Sequence, residues 1–147
     1  MTIHDTFDIL LVEDNPNDVE LATIAFKDAN FANHMHVVRD GAEALEFLFC
    51  EGRYAGRDQK LHPKLVLLDL KLPLIDGLEV LKRIKADKRT QAIPVVMMTT
   101  SHEESDMVSS YQLGVNSYIV KPVAFDKFLE TTRLLGMYWM LINRPLL

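Results

Sequence analysis

Apolar residues along this chain gather into short runs, and stretches with helical spacing lie between them. Leu65 to Leu68 is too short a run for a buried helix and suits a strand covered on both faces. Asp69 follows at once, and Pro73 and Gly77 then break the backbone. The carboxylate is therefore expected at the carboxyl end of a central strand, where open α/β sheets place their ligands. Residues 8–15, DILLVEDN, repeat the pattern, with Ile9 to Val12 apolar and Glu13 and Asp14 closing the run. His36, Val37 and Val38 predict a second strand. Residues 93–98 (IPVVMM) predict a fourth that leads into Thr99, Thr100 and Ser101, and residues 117–120 (SYIV) a fifth that ends at Lys121 and Pro122.

The intervening stretches predict helices. Asn15 as N-cap and Pro16 at the first helical position start one that reaches about residue 30, with Val19, Ala22, Ala25, Phe26 and Ala29 as its apolar face. Asp40 with Glu43, Asp76 with Glu79, and Ser101 with Glu104 have capping-box spacing for the next three. These should end near Phe49, near Asp87 and at Gly114. Residues 124–143 keep a helical period apart from Gly136, giving an extended C-terminal helix that Pro145 stops. Residues 51–63, EGRYAGRDQKLHP, carry no period and read as a surface loop with a local turn. Strands alternating with helices predict an α/β fold, a doubly wound five-stranded parallel sheet in a single domain over residues 1–147.

Composition narrows the function classes. The 147 residues are 48% hydrophobic, enough for one full core. Lys and Arg total 16 against 21 Asp and Glu, a net charge of −5 without a basic cluster, which disfavours direct nucleic-acid binding. Cys50 is the single cysteine, so an internal disulfide is excluded. The first eight residues have neither a basic start nor an apolar core of signal-peptide length, and a cytoplasmic location is expected. Apolar runs all fall well short of the ~20 residues of a membrane span.

In a parallel sheet the strand ends share one edge, so Glu13, Asp14, Asp69, Thr99 and Lys121 are expected at one site. Three carboxylates in one pocket repel each other, and a hard divalent cation, Mg²⁺ above all, relieves the repulsion. Thr99 offers a hydroxyl donor and Lys121 a positive charge, both suited to an anion such as a phosphoryl group.

In order and spacing, Glu13, Asp14, Asp69, Thr99, Tyr118 and Lys121-Pro122 resemble the response-regulator receiver domain of two-component signalling, over about residues 8–135. The resemblance implies a flavodoxin-like sheet of order 2-1-3-4-5. It also implies that Asp69 accepts a phosphoryl group from a histidine kinase, and that Glu13, Asp14, Asp69 and the backbone carbonyl of Lys71 hold Mg²⁺. Thr99 and Lys121 would contact the phosphoryl oxygens, with Thr99 and Tyr118 as the switch. Lys71 and Thr100 flank the site at positions that vary in the family. The long 51–63 loop and the tail 136–147 exceed a minimal receiver and resemble standalone receivers paired with cyanobacterial phytochromes. Tyr138 and Trp139 in that tail are candidates for a homodimer contact, and the output would be a contact with an unknown downstream protein.

Other readings have less support. The LVLLD run is also found as the metal-binding strand of nucleotide triphosphatases, but the chain has no GxxxxGK[ST] loop. A phosphatase of the haloacid dehalogenase type needs a second aspartate two residues after the first, where this chain has Lys71. His34 and His36 share a strand face but have no third ligand in view, so they read as surface histidines. Cys50 is assigned no function. A pseudo-receiver that binds partners without phosphorylation is the main alternative, and retention of every site group favours the phosphoryl acceptor, a signalling protein rather than an enzyme acting on an external substrate.

Overall fold

The computed structural model describes residues 9–28, 35–100 and 103–121. Its elements are β1 (Ile9–Val12), α1 (Pro16–Asp28), β2 (Met35–Val38), α2 (Gly41–Phe49), β3 (Leu65–Leu68), α3 (Gly77–Ala86), β4 (Val95–Thr99), α4 (Glu104–Gln112) and β5 (Ser117–Val120). All strand pairs are parallel, and the sheet order is β2-β1-β3-β4-β5, as expected. The predicted helix over residues 124–143 lies outside the described residues, as do Ala29 and His34.

Burial accounts for the strand order. Each residue of β3 is fully buried, and burying one leucine side chain contributes about 2 kcal/mol, so this all-apolar run belongs at the centre. β1 is buried along its length too, whereas β2 and β5, which carry His36 and Ser117, are mostly half-buried and form the edges. The step from β1 to β2 runs toward one edge of the sheet, and every later step runs toward the other. With right-handed crossovers, α1 therefore lies on the face opposite α2, α3 and α4. The main core joins Leu10, Val12, Val66, Leu68 and Met97 of the sheet to Ala44, Phe47 and Leu48 of α2 and Val80, Leu81 and Ile84 of α3.

At two of the three predicted capping boxes the N-cap bond forms, without the return bond to the cap N–H. The Asp40 carboxylate accepts from Glu43 N at 2.7 Å and the Asp76 carboxylate from Glu79 N at 3.0 Å. The Glu43 carboxylate reaches back to Arg39 N, one residue before the cap. Helix α4 departs from expectation. It begins at Glu104 behind Glu103, which makes no side-chain cap bond, and Ser101 lies outside the described residues. Gly114, with φ of 98°, closes α4 as predicted. β4 begins two residues later than expected and includes Thr99 as its last residue. In α1, Val19 and Ala22 are half-buried while Leu21 and Ile24 are exposed, and the side chains of Ala25 and Phe26 lie outside what is described.

Residues 51–63 are packed rather than loose. A 3₁₀ turn over Gly52–Tyr54 is followed by Arg57, whose guanidinium lies 3.8 Å above the Phe47 ring and donates to the carbonyl of Phe47 and, at 2.8 Å, to that of Leu61. Gln59 donates to the Leu48 carbonyl at 2.8 Å. The loop thus adds donors to the last carbonyls of α2, of which that of Phe47 also accepts from Cys50 N. Tyr54 OH donates to the Glu43 carboxylate at 2.6 Å, so its contact with His36 Nε2 at 2.8 Å makes that nitrogen the donor. His36 is half-buried and stacked on Phe47 at 4.7 Å, not a surface histidine, and burial lowers its pKa.

Gly77 fixes how the chain returns after Asp69. Its N–H donates to the Leu70 carbonyl at 2.9 Å, and a Cβ at this position would lie 2.2 Å from the Asp69 carbonyl oxygen. The nearest atoms are all backbone of Asp69 and Leu70, which leaves nothing soft to yield. Gly77→Ala is expected to lower unfolding free energy by about 2 to 3 kcal/mol, read from the denaturant midpoint at constant slope.

Candidate functional site

The sheet's own hydrogen bonding carries the functional residues to its carboxyl edge. Glu13 N donates to the Val38 carbonyl at 3.0 Å, Asp69 N to that of Val12 at 3.1 Å, and Lys121 N to that of Thr99 at 2.7 Å. Each bond extends a strand ladder by one residue, so positions far apart in sequence meet on one rim.

Lys121 ties the rim together. Its Nζ donates to the carboxylate of Glu13, to Asp18 Oδ2 at 2.9 Å and to Asp69 Oδ2 at 3.2 Å. The other oxygens of the two buried acids are held by backbone, Glu13 Oε2 by Asn15 N at 3.2 Å and Asp69 Oδ1 by Lys71 N at 3.3 Å. Asp14 is exposed at the mouth, and ligand oxygens of Glu13, Asp14 and Asp69 all lie within 4.8 Å of one another. Three hard oxygen donors that close fit a divalent cation of the Mg²⁺ or Mn²⁺ type, whose charge would offset their repulsion.

Burial raises the pKa of the Glu13 carboxyl, the Lys121 hydrogen bond opposes this, and the nearby Asp69 charge adds to the rise. Burial also acts against the Lys121 ammonium, but its hydrogen bonds to Glu13 and Asp18 and the charges of Asp69 and Glu13 together hold it well above the ordinary lysine range. The ammonium is thus the fixed charge of the site, and Glu13 is the member whose charge burial penalises.

Of the expected site residues, Glu13, Asp14, Asp69 and Lys121 meet at one place. Thr99 is fully buried at the end of β4 and pairs with Val120, next to Lys121. Tyr118 pairs with Met97 and packs half-buried against the main core. Lys71 is exposed, with its backbone against Asp69. Tyr138 and Trp139 lie outside the described residues.

Two features went unseen in the sequence. Asp18, in the first turn of α1, is a third partner of Lys121. Its position three residues after Asn15 has an ordinary explanation as a capping-box acid, which hides the longer-range contact. Leu74, 80% exposed, takes a φ of 69° in a tight turn closed by Ile75 N donating to Pro73 O at 2.8 Å. A leucine held there costs about 1 kcal/mol, and no glycine marks the position.

The response regulator receiver domain family matches residues 9–133. The chain belongs to that family. Among curated relatives, this receiver domain is 42% identical over 140 residues to the probable methanogenesis regulatory protein FilR2 of Methanothrix harundinacea, covering 95% of this chain and 88% of that one. It is 38% identical over 132 residues to response regulator Rcp1 of Synechocystis, covering 90% and 88%. The crystal structure of the Mn²⁺-bound form of Rcp1 superposes with a TM-score of 0.76 at 37% identity, covering 95% and 97% of the two chains. The bacteriophytochrome response regulator RtBRR superposes with a TM-score of 0.82 at 48% identity, covering 94% of this receiver domain and 82% of that chain. Among the described residues no helix is long and apolar enough to cross a membrane.

Proposed function

We propose that this receiver domain is a phosphoryl-accepting switch that takes its phosphoryl group on Asp69 from a histidine kinase of the phytochrome type. One observation carries the reading: a largely buried ammonium, Lys121, bridges Glu13 and Asp69, two members of a cluster of three carboxylates, so cation and anion chemistry share one rim. Glu13, Asp14, Asp69 and the Lys71 carbonyl would hold Mg²⁺, which supplies charge neutralisation for the incoming phosphoryl oxygens. The Mn²⁺-bound form of Rcp1 supports a divalent cation in the family, and the likeness to the bacteriophytochrome response regulator RtBRR supports the phytochrome pairing.

In the transfer, an Asp69 carboxylate oxygen forms the bond to phosphorus as the bond to the kinase imidazole breaks, and the electron pair returns to that nitrogen. A carboxylate is a weak nucleophile, but this displacement needs mainly alignment and charge neutralisation. The chain supplies both. Lys71 N holds one Asp69 oxygen, and the Lys121 ammonium, at the same rim, would face the oxygens that arrive. Thr99, one strand over, would donate its hydroxyl to the phosphoryl group. Its shift would make room for Tyr118, and that paired movement carries the signal to the β4–β5 side. Output runs through contacts with a downstream protein and a homodimer in which Tyr138 and Trp139 take part, in the cytoplasm and without nucleic acid.

Incubation with an autophosphorylated, isotopically labelled histidine kinase tests the reading. Label should pass to this protein with Mg²⁺ present and fail to pass once a chelator is added. If neither kinases nor small phosphodonors label it under any cation condition, the pseudo-receiver reading replaces this one.

A further inference from the structure

Lys121 Nζ carries three protons and meets three carboxylates, Glu13, Asp18 and Asp69. Glu13 and Asp69 also belong to the close cluster of oxygen donors, and Asp18 does not. A divalent cation and an ammonium repel one another and both draw on the Glu13 and Asp69 carboxylates, so cation entry favours loosening Lys121 from them. Asp18 offers the ammonium somewhere to stay. It belongs to a separate element, α1, and its side chain is 33% exposed against 5% for Glu13 and 10% for Asp69. Carrying a charge there costs less desolvation, and the first turn of a helix favours a negative one.

Local geometry supports the same conclusion. An acid three residues after the Asn15 cap would ordinarily reach back to Asn15 N, but that N–H donates to Glu13 Oε2, and the Asn15 side chain accepts from Asn17 N at 2.9 Å. The Asp18 carboxylate is turned to Lys121 instead, at 2.9 Å, closer than Asp69.

We infer that Asp18 is a positioning residue: it retains Lys121 at the rim while Glu13 and Asp69 turn to a divalent cation, and it thereby raises cation affinity. This rests on the phosphoryl-acceptor reading of the site and adds a residue outside the cation's own ligands.

The test is calorimetric titration of Mg²⁺ into five chelator-treated proteins: wild type, Asp18→Asn, Asp18→Glu, Lys121→Met and the Asp18→Asn/Lys121→Met double variant. Asp18→Asn should weaken Mg²⁺ binding about three- to tenfold, the range of a partly exposed ion pair, and Asp18→Glu should recover most of the loss. In the Lys121→Met background the same Asp18→Asn change should alter affinity by less than about twofold, because the coupling runs through the ammonium. An equal loss in both backgrounds would reduce Asp18 to a helix cap or a distant charge and overturn the inference, as would no loss in either. Should Asp18→Asn fail to fold, Asp18→Gln set against Asp18→Glu makes the same comparison. A wild-type protein that takes up no Mg²⁺ would overturn the phosphoryl-acceptor reading as well, whereas normal wild-type uptake with an unaltered Asp18→Asn would remove only this inference.

Discussion

Asp69→Asn is expected to abolish labelling by a phosphorylated kinase or a small phosphodonor, lowering it at least about a hundredfold, because the carboxamide has no anionic oxygen to attack phosphorus. The change is otherwise slight. The amide has the carboxylate's shape, its oxygen still accepts from Lys71 N or Lys121, and Lys121 keeps Glu13 and Asp18. Circular dichroism and the unfolding midpoint should therefore stay near wild type, which separates lost chemistry from lost fold. Mg²⁺ affinity should fall too, since one of three clustered carboxylates becomes neutral. Persistent labelling of this variant would move the acceptor to another acid, with exposed Asp14 the nearest alternative.

The outcome is traceable because the site is built on strand ends, and strand ends were the most legible part of the sequence. Runs such as Ile9–Val12 and Leu65–Leu68 are purely apolar because both faces of a central parallel strand are covered, and one topology then brings Glu13, Asp69, Thr99 and Lys121 to a common edge. Local signals worked where the interaction is local, as with Asp40 and Asp76. They failed where contacts are distant in sequence. Nothing near Arg57 indicates that it will stack on Phe47 and cap α2, and nothing near Asp18 indicates a partner 103 positions away. His36 read as a surface residue for the same reason, since its shelter comes from Phe47 and Tyr54. Leu74 escaped notice because positive φ is foreseen only where glycine or asparagine stands.

Lys121→Met should lower the rate of phosphoryl transfer by about two orders of magnitude, the usual cost of losing one donor aimed at developing negative charge. The same change should cost more stability without cation than with it. Without Mg²⁺, removal of the ammonium leaves Glu13, Asp18 and Asp69 facing one another with no compensating charge, two of them buried. Breaking one side of such a cluster costs about 2 to 4 kcal/mol, which should appear as a lower unfolding midpoint in chelator. With Mg²⁺, the competitor for the Glu13 and Asp69 oxygens is gone, so binding should tighten and the cation should recover much of that loss. The variant should thus gain more stability from Mg²⁺ than wild type does, while accepting phosphate far more slowly. A variant that labels at the wild-type rate would show that the ammonium does not face the transferred group, and one that gains no extra stability from Mg²⁺ would show that ammonium and cation do not compete for the same carboxylates.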